Sequence, residues 1–283
     1  MAKEELGIID TRTEFGQISR KLLELLPQLG PDEWQARTCY PNWRVKHIAV
    51  HLLQTALSRL SLHRDAYAAG DTPQEAVNFD FLSDMIARAN DSWTELFETI
   101  SPQLIVDLLS LADRQLTDYI VNLDLTDEAL FSVAWAGEAR SSNWFDIARE
   151  YTERWHHQQQ IREAVGAAGI ASKALCAPVI DTLIRAVPYW YGNLHAPEGT
   201  GILIEISGES GGSWILKKES NSWHLYRAEN ETGDAHILMS DDTAWRFLTR
   251  TISAEDAQSR IRFSGKSNIC KNFLNVKAIM MKN

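Results

Sequence analysis

The sequence predicts a two-domain α + α/β chain, a four-helix bundle followed by a small α+β domain. Three observations carry this. Across residues 10–170, apolar side chains recur at helical spacing between Pro- and Gly-marked connections. After about residue 195 the pattern changes to short β-branched and aromatic runs parted by glycine and polar turns. Long helices with mostly short connections must fold back on one another to bury their apolar stripes. The expected division is a bundle over 1–170, a connecting helix over 171–195 and an α+β domain over 196–283.

Phe15, Ile18, Leu22, Leu25 and Leu26 share one face of a helix over residues 10–27, closed by Pro27 and Gly30-Pro31. Asp32 to Pro41 is expected to be a loop with Trp34, Cys39 and Tyr40 as core plugs. Asn42 is a candidate cap for a second helix running to about Ala69, with Val45, Ile48, Leu52, Leu53, Ala56, Leu57 and Leu60 as its stripe. A helix follows near 75–99, and Ser101-Pro102 opens another through about Val121. Leu123 to Arg140 reads as irregular, and Ser142 or Asn143 caps a long helix that Gly166 ends. Residues 172–192 form one more apolar helix, whose Pro188-Tyr-Trp-Tyr tail suits docking. Strands are expected at Gly201–Ser207, Gly212–Leu216, Ser222–Tyr226 and Ala235–Ser240. Asp241-Asp242 would then cap a helix, Arg260–Gly265 form a last strand, and Ser267 begin a last helix.

A composition of 45% hydrophobic and 23% charged residues is that of a chain with a packed core. The formal charge of −10 argues against a nucleic-acid binder, which needs a basic face for phosphates. No uninterrupted apolar run approaches the ~18 residues that span a bilayer. The N-terminus lacks the layout of a signal peptide, so a cytoplasmic protein without membrane partners is expected. Cys39, Cys176 and Cys270 are odd in number and scattered, and fit reduced thiols rather than a disulfide framework or a Cys-x-x-Cys site.

The chemistry-bearing stretch is Trp144 to Glu163. On a helix, Glu153 and His157 stand four residues apart and stack on one face. A divalent metal wants such a pair with one or two ligands from a neighbouring helix, and the second helix offers His47 and His51. Three arrangements are open on spacing alone. All five of His47, His51, Glu153, His156 and His157 are hydrogen-bonding or surface residues; or His47 and His51 act as an i, i+4 pair; or His51 joins Glu153 and His157. His156 points about 100° away from His157 on a helix and is left out.

Trp43-Arg-Val-Lys-His-Ile-Ala-Val-His-Leu resembles the W-x-V-x-D-x-x-x-H-L signature of DinB-like metal-binding bundles. More closely it is similar to the mycothiol-dependent maleylpyruvate isomerase family. There, a second-helix histidine and a Glu-x-x-x-His pair on the fourth helix hold a divalent metal, usually zinc. By this resemblance His51, Glu153 and His157 are the metal ligands, while His47 replaces the family's Asp and falls to a supporting or surface role. Asp242 to Ala257, then Arg260–Gly265, resemble the family's second domain, which is similar to sterol-carrier proteins.

The resemblance implies a metal-dependent isomerase or transferase that binds a low-molecular-weight thiol such as mycothiol as the thiolate. The thiolate would add to a maleylpyruvate-like double bond, allow rotation and leave, or pass sulfur to another electrophile. Zinc is the expected ion, with nickel an alternative in a purified sample. The expected partners are the thiol and an electrophilic substrate, and the chain is expected as a monomer or homodimer. Arg88, Arg154 and Arg162 in the bundle, and Arg227, Arg246 and Arg250 in the second domain, are candidate anion donors, with Arg246 the catalytic candidate. A non-catalytic lipid-like binding protein and a metal-dependent hydrolase are the alternatives.

Overall fold

The computed structural model describes residues 4–40, 42–67 and 79–279. These form two compact units, one of residues 10–132 and 139–170, the other of residues 4–9, 133–138 and 171–279. No described helix is long and apolar enough to cross a membrane.

The first unit is helical. Helix α1 (Arg12–Leu25) buries Phe15, Ile18 and Leu22, and a 3-10 turn carries Pro27. A four-residue α2 (Pro31–Trp34) lies where a loop was expected, because Pro31 suits a first turn and Glu33 accepts from the Gly30 N–H. Trp34 is buried, but Cys39 is exposed and so is no core plug. Helix α3 (Val45–Arg59) starts after an extended Arg44, so Asn42 lies in the preceding turn and does not cap it. A π-helical turn, Leu60–Arg64, ends it before the expected Ala69, which lies outside the described residues. Helix α4 (Phe79–Leu96) runs into a 3-10 turn ending at Thr99; the expected residues 75–78 lie outside the description.

Helix α5 (Pro102–Val121) begins as the sequence demands, with Ser101 Oγ accepting from the Leu104 N–H at 3.3 Å. Helix α6 (Asn143–Ala164) follows Ser142, and Gly166 leaves it with φ +65°. Helix α3 packs against α4, α5 and α6, and α1 against α5 and α6.

Helix α6 is buried on most sides although it carries Asp146, Glu150, Arg154, two histidines and three glutamines. Buried polar groups persist only with partners. Arg59 of α3 reaches both Asp146 oxygens at 2.8 and 3.0 Å, and its Nε lies 3.5 Å from Glu150. One turn on, Arg154 pairs with Asp113 of α5 at 2.7 Å.

In the second unit a six-stranded sheet has the order β1-β4-β3-β2-β5-β6. The strands are β1 (Glu4–Glu5), β2 (Gly201–Ser207), β3 (Gly212–Glu219), β4 (Ser222–Arg227), β5 (Ala235–Ser240) and β6 (Arg262–Gly265). Among the described residues, only the β2–β5 pair is parallel. Alternation buries Ile202, Ile204 and Ile206 beside Ala235, Ile237 and Met239. The expected connecting helix is α7 (Lys173–Leu183), a 3-10 turn and α8 (Val187–Tyr191), with Pro188 in the first turn of α8. Segment 133–138 joins this unit through Gly137, whose φ of +81° and closeness to the Tyr189 ring leave no room for a side chain.

Helix α9 (Asp241–Leu248) is capped by Ser240, whose Oγ accepts from Thr243 N–H at 3.1 Å, rather than by Asp241 or Asp242. An unexpected α10 (Ala254–Arg260) follows Ser253, whose Oγ accepts from Asp256 N–H at 3.0 Å. It takes up Arg260, so β6 starts two residues later than expected. Helix α11 (Ser267–Lys271) closes the unit with a further 3-10 turn.

Burial alone would raise the Asp146 carboxyl, but Arg59 and Arg149 outweigh it and hold it well below the usual carboxylate range. A depressed native pKa contributes stability that is complete above the unfolded value of about 4 and is lost as pH falls toward the native one. Asp146→Asn should therefore lower stability at pH 7 by about 3 kcal/mol, read from urea midpoints. Its deficit relative to wild type should shrink as the pH is lowered below about 4.

Candidate metal centre

Helices α3 and α6 are in contact, and their polar stripes meet at one point. His51 from α3, and Glu153 and His157 from α6, bring one ligand atom each to within 4.8 Å of one another. His157 Nε2 is 3.4 Å from Glu153 Oε2, and the two imidazole rings meet edge to face with centroids 4.8 Å apart. Both histidines are buried, whereas the Glu153 side chain is 23% exposed, so the cluster reaches solvent on its carboxylate side.

Each imidazole is anchored by a side-chain amide. His51 Nδ1 donates to Asn90 Oδ1 of α4 at 3.1 Å, and His157 Nδ1 donates to Gln160 Oε1 at 3.0 Å. Gln160 is also hydrogen-bonded to the Tyr40 hydroxyl. The Trp43 ring lies 5.3 Å from His51 and stacks on His157 at 6.0 Å, with Tyr40 at 6.4 Å from His157.

Burial lowers the His51 pKa to about 4, with His157 adding to the shift and Glu153 opposing it. His51 is therefore neutral near pH 7. Burial would raise Glu153, but the His157 hydrogen bond and the surrounding imidazoles outweigh it and keep the carboxyl well below its usual range. Burial, then Glu153, pushes the Tyr40 phenol upward, so it stays protonated.

His47 does not join the cluster. Its Nε2 pairs with Glu98 at 2.9 Å, so the His47–His51 ligand pair is not formed. His156 is buried beside His157, but its Nδ1 donates to the Thr152 carbonyl at 2.8 Å. Burial, then His157, lowers it to about 3.

The expected anion donors fare differently. Arg154 is buried against Asp113 and is a structural cation, not a substrate donor. Arg162 donates to the carbonyls of Ala168 and Lys21, both at 2.8 Å. Arg88 is exposed. In the other unit Arg227 pairs with Asp181 at 2.8 Å, and Arg250 donates to the Val276 carbonyl at 3.1 Å. Arg246 donates through Nε to Asp242 at 2.9 Å and lies over the Trp245 ring.

Sequence reasoning missed Asn90 and Gln160. Gln160 lies three residues from His157 on the same helix and was findable by spacing. Asn90 carries no signal, because its place opposite His51 depends on how α4 packs on α3.

The helical fold and the convergent imidazole and carboxylate groups define a bundle protein with a candidate mononuclear metal site. The model of the mycothiol maleylpyruvate isomerase N-terminal domain matches residues 15–162, and the chain belongs to that family. An uncharacterized protein of Mycobacterium tuberculosis strain H37Rv is 26% identical over 262 residues, covering 89% of this chain and 91% of the relative. Its counterpart in strain CDC 1551 / Oshkosh matches equally. The crystal structure of a mycothiol-dependent maleylpyruvate isomerase aligns with TM-score 0.51 and 14% identity, over 89% of this chain and 92% of that one. A histidine-to-alanine variant of that enzyme gives TM-score 0.50 at 13% identity, with the same coverage. Likeness at this identity is likeness of fold.

Cys176 is buried, and burial pushes its thiol up to about 12. Cys270 is buried with its Sγ 3.2 Å from the Ser264 carbonyl. A colorimetric thiol reagent should label one cysteine, Cys39, quickly in the native protein, and all three only after denaturation. Rapid native labelling of Cys176 would contradict this burial.

Proposed function

We propose that the protein is a divalent-metal-dependent enzyme that uses a low-molecular-weight thiol, such as mycothiol, for cis–trans isomerisation of a maleylpyruvate-like substrate or for S-transfer. The observation that carries this is the convergence of His51, Glu153 and His157 within a chain of the mycothiol maleylpyruvate isomerase family.

The donor set suits a borderline divalent cation such as zinc. A neutral His51 offers a lone pair without a competing proton, and an ionised Glu153 adds one negative charge. His51, Glu153 and His157 would hold the ion, leaving a coordination position for an outside ligand. When bound, such an ion lowers the pKa of a coordinated thiol and so supplies a thiolate nucleophile near neutral pH.

The chain's own groups support the rest. Trp43 and Tyr40 wall the imidazoles with apolar ring surface, which limits water around the cluster. The high thiol pKa of Cys176 favours a small-molecule nucleophile over that cysteine. Arg246 is our candidate for recognising an anionic group of the substrate, its guanidinium already oriented by Asp242 and Trp245.

Elemental analysis after purification without chelators should find about one divalent ion per chain. His51→Ala and Glu153→Ala should each lose tight metal binding while keeping the helical circular dichroism signal. A variant that still holds one equivalent means the ligands are misassigned. Turnover of maleylpyruvate or another electrophile should require one of mycothiol, glutathione or bacillithiol. Hydrolysis without any thiol would point instead to a metal-dependent hydrolase. Arg246→Ala should raise KM for an anionic substrate by about 10-fold, the loss of one charge-assisted hydrogen bond, with metal content unchanged.

A further inference from the structure

We propose that Asn90 and the Tyr40–Gln160 pair are positioning residues for the metal centre. Each side-chain carbonyl fixes one imidazole in the tautomer whose Nε2 lone pair faces the ion. This assignment rests on the metal-site reading above, and it adds three residues to the site from α4, α6 and the loop before α3.

An amide oxygen can only accept, so the nitrogens facing Asn90 Oδ1 at 3.1 Å and Gln160 Oε1 at 3.0 Å must carry protons. A neutral imidazole has one such proton. With a proton held on Nδ1, each histidine can give Nε2 to an ion. For His157, Nε2 is the nitrogen that lies 3.4 Å from Glu153 Oε2, inside the cluster, where a bound ion would replace any proton shared with the carboxylate. Without a carbonyl partner, either imidazole would be free to take the other tautomer or to rotate, and a share of molecules would present N–H to the ion.

An amide is a reliable acceptor only if it cannot flip. The Gln160 oxygen is engaged by His157, so its NH2 end is the one that meets the Tyr40 hydroxyl. Flipping would turn the Gln160 NH2 toward His157, which only the tautomer with its proton on Nε2 could accept. Tyr40 is itself held, because the loop closes with both the Thr38 N–H and the Thr38 hydroxyl donating to the Trp43 carbonyl, at 3.0 and 2.9 Å. Gln160 is 1% exposed, so water is a poor substitute for either bond. The resulting order is loop to phenol to amide to imidazole, with Asn90 serving His51 separately from α4.

The test is zinc affinity, by competition of the metal-free protein with a chromophoric chelator, with circular dichroism to confirm folding. Asn90→Leu and Gln160→Leu should each bind zinc about 10- to 100-fold more weakly than wild type. Asn90→Asp and Gln160→Glu, which keep an acceptor oxygen in place, should restore affinity to within a few-fold of wild type. Tyr40→Phe alone should weaken binding a few-fold, yet have no further effect in the Gln160→Leu background, because its action passes through that amide. Leucine variants that bind like wild type, carboxylate variants as weak as the leucine ones, or additive effects of Tyr40→Phe and Gln160→Leu would overturn the assignment. A wild-type chain that takes up no zinc would instead sink the metal-site reading, which separates the two failures.

Discussion

The packing of α3 against α6 is the constraint on which the rest of the bundle depends. Between His51 and Arg59 the first helix rises ~12 Å, and between Asp146 and His157 the second rises ~16 Å. The two helices are tied at both ends of these spans, by the Arg59–Asp146 ion pair and by the meeting of His51 with His157. A slip of either helix by one residue would bury the Arg59 charge without its carboxylate and turn the imidazoles apart. Buried ion pairs add little net stability, because desolvation offsets most of their attraction. Their effect here is to make wrong registers expensive, so that the cluster forms in one arrangement.

That economy also explains why α6 looks unlike an ordinary core helix. Fifteen of its side chains or backbone positions are buried, yet many are polar. Asp146, Glu150, Arg154 and His157 follow one another at helical spacing, and each finds a partner on α3, α5 or α6. The same stripe that holds the bundle in register ends at the candidate metal site. Structural and chemical roles are therefore adjacent on one helix face, and Glu150 sits between them, 3.5 Å from Arg59 and 3.8 Å from Arg154.

Much of this was legible in the sequence where local chemistry decides the outcome. Ser101-Pro102 opened α5 as its capping preference requires, and the short runs Ile202–Ile206 and Ala235–Met239 became neighbouring strands. His51, Glu153 and His157 could be singled out from helical spacing and family resemblance together. What escaped was decided by packing or by competing local signals. The short α10 was hidden because Ser-Ala-Glu-Asp reads equally as a turn, and β1 consists of two residues that pair only through β4. Arg154 reads as a candidate anion donor in the sequence because its partner Asp113 lies 41 positions away and their pairing depends on the bundle. Asn90 was invisible for the same reason.

The central claim, that two imidazoles and one carboxylate from α3 and α6 share a single ion, is tested most directly by X-ray absorption at the metal edge of the purified protein. The expected first shell contains nitrogen and oxygen with the multiple-scattering signature of about two imidazoles. A shell of protein sulfur, or one with no imidazole scattering, would contradict it.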